Sequence, residues 1–358
     1  MSYDDKKSFA KGKQIYLQPI KNTMIRAGVI GYGYWGPNIV RNFNGHSEIE
    51  VVKICDKSAD RQKVAKGAFP NSEIVSDADE ILKDSSIDAV AIVTPVFAHF
   101  PLAKKALENG KHVFIEKPFT TTSSEAKELI DLAAKKDLII MVDHTFLFTG
   151  AVRKMKELVD NGTVGDLYYY DSMRVNLGLF QHDVNVLWDL APHDISIMQY
   201  LVPGLKPKSL NATGSSHFGR GIEDVAYLTV QYDNNFIAHF NANWMSPVKI
   251  RQTLLAGSNK MLVWDDVEPD YKIKVYDKGI DISDKSEIYN LLIQYRSGDM
   301  SSPKVEQLEA LKLETAHFVD AINKKVKPIN GGEEGLAVVE ILEASDLSIK
   351  NGGKEVRL

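Results

Sequence analysis

The sequence holds a single cysteine, Cys55, in 358 residues. One thiol excludes an intrachain disulfide and a cysteine-based zinc site, and it fits a reducing, cytoplasmic setting. Cys55 lies in an apolar run, where a thiol is far more often a small buried hydrophobe than a reactive group. Long apolar runs are also lacking. None approaches the roughly 20 residues that span a bilayer, so no membrane partner is expected. Nor is there an excess of positive charge. Lys and Arg number 43 against 48 Asp and Glu, a net charge of −5. With no Lys/Arg stripe either, no nucleic-acid partner is expected. Residues 1–23 carry Lys6, Lys7, Lys11 and Lys13 but no apolar core, so they read as a polar N-terminal extension rather than a secretion signal.

What is present is a change of rhythm near residue 145. Residues 24–145 alternate apolar runs with helical patterns. Strands are expected at Ile25–Ile30, Val51–Cys55, Ala89–Val93, Val113–Ile115 and Leu138–Val142. Helices are expected at Trp35–Asn44, Arg61–Gly67, Phe100–Asn109 and Glu125–Lys136. Thr122 and Glu125 form a capping box before the last of these. Such alternation predicts a parallel sheet covered by helices on both faces, an α/β class. Residues 146–358 open with a helix at Ala151–Asn161. Long strand-like runs follow, with a hairpin turn at Asp233-Asn234-Asn235, and predict a large, mostly antiparallel open sheet. Helical patterns at Glu306–Asn323 and Glu333–Lys350 close the chain. In Phe236–Trp244 the even-numbered residues are apolar and share one face, which packs on helices.

The glycines of Ala27–Val40, "AGVIGYGYWGPNIV", fall between a strand and a helix. A glycine-rich turn alone is weak evidence, because simple strand-to-helix turns share it. In this context Gly31 permits the tight turn, Gly33 lets backbone approach a pyrophosphate, and Gly36 lets the helix pack closely. The helix N-terminus then offers N–H groups to phosphates. Asp56 ends the second strand and can accept hydrogen bonds from an adenosine ribose, favouring NAD over NADP. Lys57 and Arg61 nearby weaken that preference.

Two further segments carry chemistry. "VFIEKPFT" puts Glu116-Lys117-Pro118 just after a strand, at the end of an open sheet where ligands bind. Most lysines are ordinary surface groups, but this one follows an apolar run directly. "WDLAPHDISIM" puts Asp189 and His193 four residues apart. On a helix they share a face, and a carboxylate beside an imidazole raises its pKa and orients it. Alone, such a pair is more often a cap and a satisfied histidine. His182, Asp183, Asp189, His193 and Asp194 are dense potential ligands, but without HExxH or His-x-His spacing no metal is expected. Arg174 and Arg251 are candidates for a substrate carboxylate or phosphate, although such arginines are more often surface or ion-pair groups.

The set Gly31-Tyr32-Gly33-Tyr34-Trp35-Gly36, Thr94-Pro95-x-x-x-His99, Glu116-Lys117-Pro118 and Asp189-x-x-x-His193 resembles the glucose–fructose oxidoreductase, inositol dehydrogenase and rhizopine catabolism family (Gfo/Idh/MocA). The resemblance implies an N-terminal Rossmann domain, an α/β domain with a large open sheet, and a homodimer or homotetramer. It implies that Tyr34 and Trp35 line the pyrophosphate. Thr94, Pro95 and His99 would lie along the cofactor, and Glu116 near the nicotinamide ribose. It implies that Lys117 contacts the reacting oxygen and that His193 is the acid/base, supported by Asp189. Many relatives carry arginine before the phenylalanine of the segment matching "DHTFLF"; here Leu147 precedes Phe148, a departure from the simple polyol branch. "WGPNIVRNF", "DHTFLFTGAV" and "YRSGDMSSPKVEQLEALKLE" resemble members found with bacterial surface-polysaccharide enzymes. The activity this implies is hydride transfer at a sugar alcohol or ketone, with C3 of a UDP-N-acetylhexosamine or its uronate as the first guess. Alternatives are an NAD-dependent glycosidase with transient C3 oxidation, which needs the same lysine and histidine, and a non-catalytic sensor of NAD or sugar.

Overall fold

In this computed structural model, residues 24–178, 181, 183–218, 221–282 and 293–358 are described. The polar extension over 1–23 and His182 lie outside them.

The first half holds six strands: β1 (Ile25–Ile30), β2 (Ile49–Cys55), β3 (Glu73–Val75), β4 (Ala89–Ile92), β5 (His112–Glu116) and β6 (Ile140–Asp143). Between them run α1 (Gly36–Asn44), α2 (Ala59–Ala68), α3 (Asp79–Leu82), α4 (His99–Glu108) and α5 (Ser123–Lys136). The strands form one parallel sheet in the order β3-β2-β1-β4-β5-β6. Every residue of β4 is buried, as helices on both faces require. The order reverses between β1 and β4, which opens a crevice beyond their carboxyl ends. The capping box forms as expected: Thr122 accepts from the Glu125 N–H, and the Glu125 carboxylate accepts from the Thr122 N–H.

The second half begins with α6 (Gly150–Asp160), β7 (Leu167–Leu177) and α7 (Val186–Leu201). Then come β8 (Pro207–Ser215), β9 (Val225–Tyr232), β10 (Ile237–Asn243), β11 (Met245–Gly257), β12 (Met261–Asp265) and β13 (Ile273–Tyr276). A small ribbon of β14 (Gly279–Ile282) and β15 (Ile293–Arg296) precedes β16 (Met300–Ser301), α8 (Ala310–Ile322), α9 (Gly332–Lys350) and β17 (Val356–Arg357). Nine of these strands make one sheet, ordered β16-β13-β12-β11-β7-β10-β9-β8-β17. Its pairs are antiparallel except β7 with β10, which run parallel, so the sheet is mixed rather than purely antiparallel. Phe236, Ala238, Phe240, Ala242 and Trp244 are all buried on the helix-facing side. Met173, Tyr227 and Ile237 stand exposed on the other side.

The chain then returns to its first half. Phe318 of α8 stacks on Phe43 of α1, with ring centroids 6.0 Å apart, and meets Phe114 of β5 edge-on at 5.5 Å. Such aromatic clusters add specific geometry to a large apolar burial. Asn330 locks β6 by accepting from the Val142 N–H at 2.8 Å and donating to the Val142 carbonyl at 2.7 Å. These contacts fix the ends of β5 and β6, where the site is built.

Candidate active site

The glycine turn has the shape of a cradle. Gly31 sits at φ +101°, and a Cβ there would stand 2.2 Å from the Val93 carbonyl oxygen. A Cβ on Gly36 would stand 2.6 Å from the Gly31 carbonyl oxygen, so helix and turn touch backbone to backbone. At Gly33 nothing lies within 4 Å, which leaves open space above the turn. Thr94, just past β4, has its Oγ1 buried without a partner among the described residues. An open-sided glycine and an orphaned hydroxyl at the switch point fit a dinucleotide pyrophosphate.

Asp56 closes the turn from the end of β2. Its carboxylate accepts from the Tyr32 N–H and the Ser58 N–H, each at 2.8 Å. Arg61 donates to the Tyr32 carbonyl at 3.1 Å. The guanidinium is thus tied to the same turn that the Asp56 carboxylate caps. Cys55 is buried, and that burial pushes its thiol up to about 11, which leaves it an inert thiol.

Beyond the turn lies a cleft of about 530 Å³ between the two halves, within the size range of small-molecule sites. Tyr34, Trp35, Glu116, Lys117, Asp143 and Thr145 line it from the first half. Phe146, Arg174, Asp189, His193, Trp244 and Arg251 line it from the second. Lys117 follows β5 through a cis peptide to Pro118. Its Nζ donates to the Asp189 carbonyl at 2.7 Å and to Asp189 Oδ1 at 3.2 Å. Trp244 Nε1 donates to Asp189 Oδ2 at 3.0 Å.

That arrangement corrects the expected pairing of Asp189 with His193. Both residues are on α7, one turn apart, but both oxygens of the carboxylate are already engaged by Lys117 and Trp244. His193 packs its ring 4.9 Å from that of Phe146, and its Nδ1 is buried without a partner among the described residues. Its pKa is held well below the ordinary value, not raised. Burial is the main cause, followed by the charges of Lys117, Arg174, His144 and Arg251. The ring is therefore neutral at pH 7.

Two other candidates are held by partners within the protein. His99 does not open onto the cleft. It is fully buried, with Nδ1 2.9 Å from the Pro118 carbonyl and Nε2 2.8 Å from the Thr94 carbonyl. Burial lowers its pKa, and a neutral imidazole has one N–H, so the ring donates to one of these carbonyls and packs against the other, behind the Thr94 and Lys117 loops. Arg174 is committed elsewhere. It lines the cleft but is 3% exposed and makes a bidentate pair with Asp194, both contacts at 2.8 Å. Arg251 is the less engaged guanidinium: its pair with Asp266 is long, at 3.4 Å, and its Nε is buried without a partner among the described residues. Burial and the charge of Arg174 push its pKa down. Both guanidiniums lie over the Phe146 ring, at 4.5 and 5.8 Å.

Of the acidic end of the cleft, the sequence motifs named only Glu116. Glu116 and Asp143 sit opposite each other in the parallel pairing of β5 and β6. Trp35 Nε1 donates to Asp143 Oδ2 at 2.6 Å, and Thr145 hydroxyl contacts join Asp143 to Glu314. Burial, then the neighbouring Asp143, pushes the Glu116 and Glu314 carboxyls well above the ordinary carboxylate range. The cleft is polarised: carboxylates at the first half's end, guanidiniums on the sheet wall. Among the described residues, no group of three or more His, Cys, Asp or Glu is arranged to hold a metal ion.

Known proteins share this plan. Residues 25–144 match the family model described as an oxidoreductase family with an NAD-binding Rossmann fold, and residues 152–263 match the same family's C-terminal domain. The chain belongs to this Gfo/Idh/MocA oxidoreductase family. Its first half is an NAD-binding Rossmann domain. An uncharacterized oxidoreductase of Schizosaccharomyces pombe is 34% identical over 46% of this chain and 44% of its own length. The chain spans about half the length of several such curated relatives. The scyllo-inositol 2-dehydrogenase (NAD(+)) of Bacillus subtilis is 24% identical over 92% of this chain and 95% of its own. Among solved structures, UDP-N-acetylglucosamine 3-dehydrogenase GnnA of Acidithiobacillus ferrooxidans superposes with a TM-score of 0.77, at 22% identity, over 91% of this chain and 98% of its own. At that identity the likeness establishes the fold. Among the described residues, no helix is long and apolar enough to cross a membrane.

Proposed function

We propose that this protein is an NAD-dependent oxidoreductase transferring hydride at a secondary alcohol or ketone of a sugar. C3 of a nucleotide-linked sugar, a UDP-N-acetylhexosamine or its uronate, is the first substrate to test. The observation that carries this reading is the convergence of Lys117 and His193 in one cleft beside an open glycine cradle. They come from opposite halves of the chain.

Bound NAD⁺ supplies the hydride acceptor. The pyrophosphate would rest on Gly31, Gly33 and Gly36 with the backbone of Tyr34 and Trp35, beside Thr94 and Pro95. Asp56 would hold the adenosine ribose, and Glu116 the nicotinamide ribose. Asp189 aims the Lys117 ammonium, which stabilises the developing alkoxide on the substrate oxygen. His193, neutral because it is buried among cations, is already in the form that accepts the hydroxyl proton. Trp244 fixes Asp189 and so acts on Lys117 at one remove. Arg251 offers a guanidinium to a carboxylate or phosphate on the sugar. Arg174 shapes the same wall through its pair with Asp194. The exposed outer sheet face, with Met173, Tyr227 and Ile237, supports a homodimer or homotetramer. The relative acting on a UDP-sugar supports the nucleotide-linked substrate.

The test is a panel of UDP-N-acetylglucosamine, its uronate and scyllo-inositol, each mixed with protein and NAD⁺ and followed at the NADH absorbance band. NADH formation from a UDP-sugar is expected. NADH from scyllo-inositol alone would move the substrate to free polyols, and none from any of the three would overturn this substrate assignment.

A further inference from the structure

A second buried histidine stands behind the first. His144 ends the stretch after β6 and leads into the turn Thr145–Phe148, whose Phe146 packs on the His193 ring. His144 is 1% exposed, and neither ring nitrogen has a partner among the described residues. His144 is near enough for its charge to bear on His193. On its far side His144 lines a separate surface cleft of about 420 Å³, together with Lys156, Ser196, Gln199, Lys327 and Glu334. Ser196 lies one turn beyond His193 on α7 and donates to the His193 carbonyl at 2.8 Å. The two imidazoles therefore sit in one wall between two clefts. His193 faces the candidate site, and His144 faces the other.

Three ring nitrogens in that wall lack partners: Nδ1 of His193 and both nitrogens of His144. Each buried orphan costs about 1–3 kcal/mol, which argues for bridging water rather than empty space. We propose that His144 is the proton-relay partner of His193, carrying the substrate's hydroxyl proton through the wall to solvent at the second cleft. This rests on the hydride-transfer reading above.

In the oxidation direction the substrate C–H leaves as hydride to bound NAD⁺ and the O–H bond breaks. The oxygen's electron pair forms the carbonyl, and the proton passes to Nε2 of His193. The same ring gives up its Nδ1 proton through water to one nitrogen of His144, whose other nitrogen releases a proton to the second cleft. One hydride and one proton leave the substrate, and one proton reaches solvent. The reverse steps feed a ketone reduction.

Electrostatics explain why a relay is useful. Lys117, Arg174 and Arg251 all face His193, and Lys117 bears on His144 as well. An imidazolium stored beside those cations is unfavourable, and the Asp189 carboxylate on the same helix is engaged by Lys117 and Trp244. A neutral ring that accepts and donates together never stores the charge.

His144→Phe and His144→Gln test this by two routes. The first needs no substrate: solvent exchange of the His193 ring proton, read by ¹⁵N NMR on the NAD⁺-bound protein. Both variants are expected to slow it at least about 10-fold, and free imidazole should restore it in a third variant, His144→Ala, whose truncated side chain leaves room for the ring. The second is NADH formation from whichever panel sugar turns over, where kcat should fall about as far with KM and NAD⁺ affinity unchanged. Unchanged exchange in a folded variant overturns the relay. So does a loss of kcat that imidazole leaves untouched while NAD⁺ affinity falls in step. If His144→Phe does not fold, His144→Gln decides by the same measurements. Slowed exchange in a protein that oxidises no panel sugar would sink the substrate reading and leave the proton path standing.

Discussion

At Gly31 the left-handed backbone and the Val93 carbonyl leave no room for a side chain. Gly31→Ala should therefore cost at least about 2 kcal/mol of unfolding free energy in denaturant titration and weaken NAD⁺ binding. Lys117→Ala and His193→Ala belong to a different class. Neither side chain supports the cradle, so turnover should be abolished while NAD⁺ binding, followed by fluorescence titration, persists. His144 gives a pH signature. Burial, then Lys117, pushes its ring down to about 3, whereas an unfolded histidine titrates near about 6.5. The unfolded chain binds the extra proton, so the stability from keeping His144 neutral is complete above about pH 6.5 and is lost as pH falls toward 3. Between pH 6.5 and 5 the wild type should lose about 2 kcal/mol more than His144→Phe, as measured by urea unfolding at each pH. Glu116 and Glu314, with raised carboxyl pKa values, act in the opposite sense in both proteins and cancel from the comparison. Residue types and spacing made the glycine turn legible in the sequence, whereas Lys117 and His193 stood out only through the family resemblance their motifs carry. The partners were not legible. Asp189 meets a lysine 72 positions away and a tryptophan 55 positions away, and no local pattern encodes such pairs. His144 did carry a signal, a histidine immediately after a parallel strand at the ligand-binding end of the sheet.

Among the elements, α8 and α7 carry the sharpest expectations. Phe318 joins α8 to the aromatic cluster under β5, so Phe318→Ala should cost about 3–5 kcal/mol. On α7, Asp194→Ala would strand Arg174 as a buried unpaired cation. That should also cost about 3–5 kcal/mol, and the Phe146 wall of the cleft should shift with it. Chemical denaturation read by tryptophan fluorescence checks both. The helices and strands with one clean period were readable to within a few residues. α7 was less so, because Pro192 interrupts its interior and burial extends around most of its surface, which blurs the amphipathic pattern. β3 is three residues long and carries too little alternation to register. In the second half, parallel pairing of β7 with β10 brings together strands separated by β8 and β9, a long-range choice that no single strand's sequence states.

For the whole molecule, the cleft's polarity organises the account. Glu116, Asp143 and Glu314 gather at one end of the cleft, and the Arg174 and Arg251 guanidiniums stand on the sheet wall. The capped Asp56 carboxylate makes a coenzyme-level prediction: a 2′-phosphate should be repelled, with NADP⁺ binding at least about 10-fold more weakly than NAD⁺ in titration calorimetry. How Arg251, Arg174 and Phe146 face one another is set only by folding.

The most direct measurement is a crystal structure with NAD⁺ bound. The account predicts nicotinamide C4 within about 5 Å of both the Lys117 ammonium and the His193 ring, as near-attack geometry requires. A ring bound more than about 10 Å from either group, with the cleft closed, would contradict it.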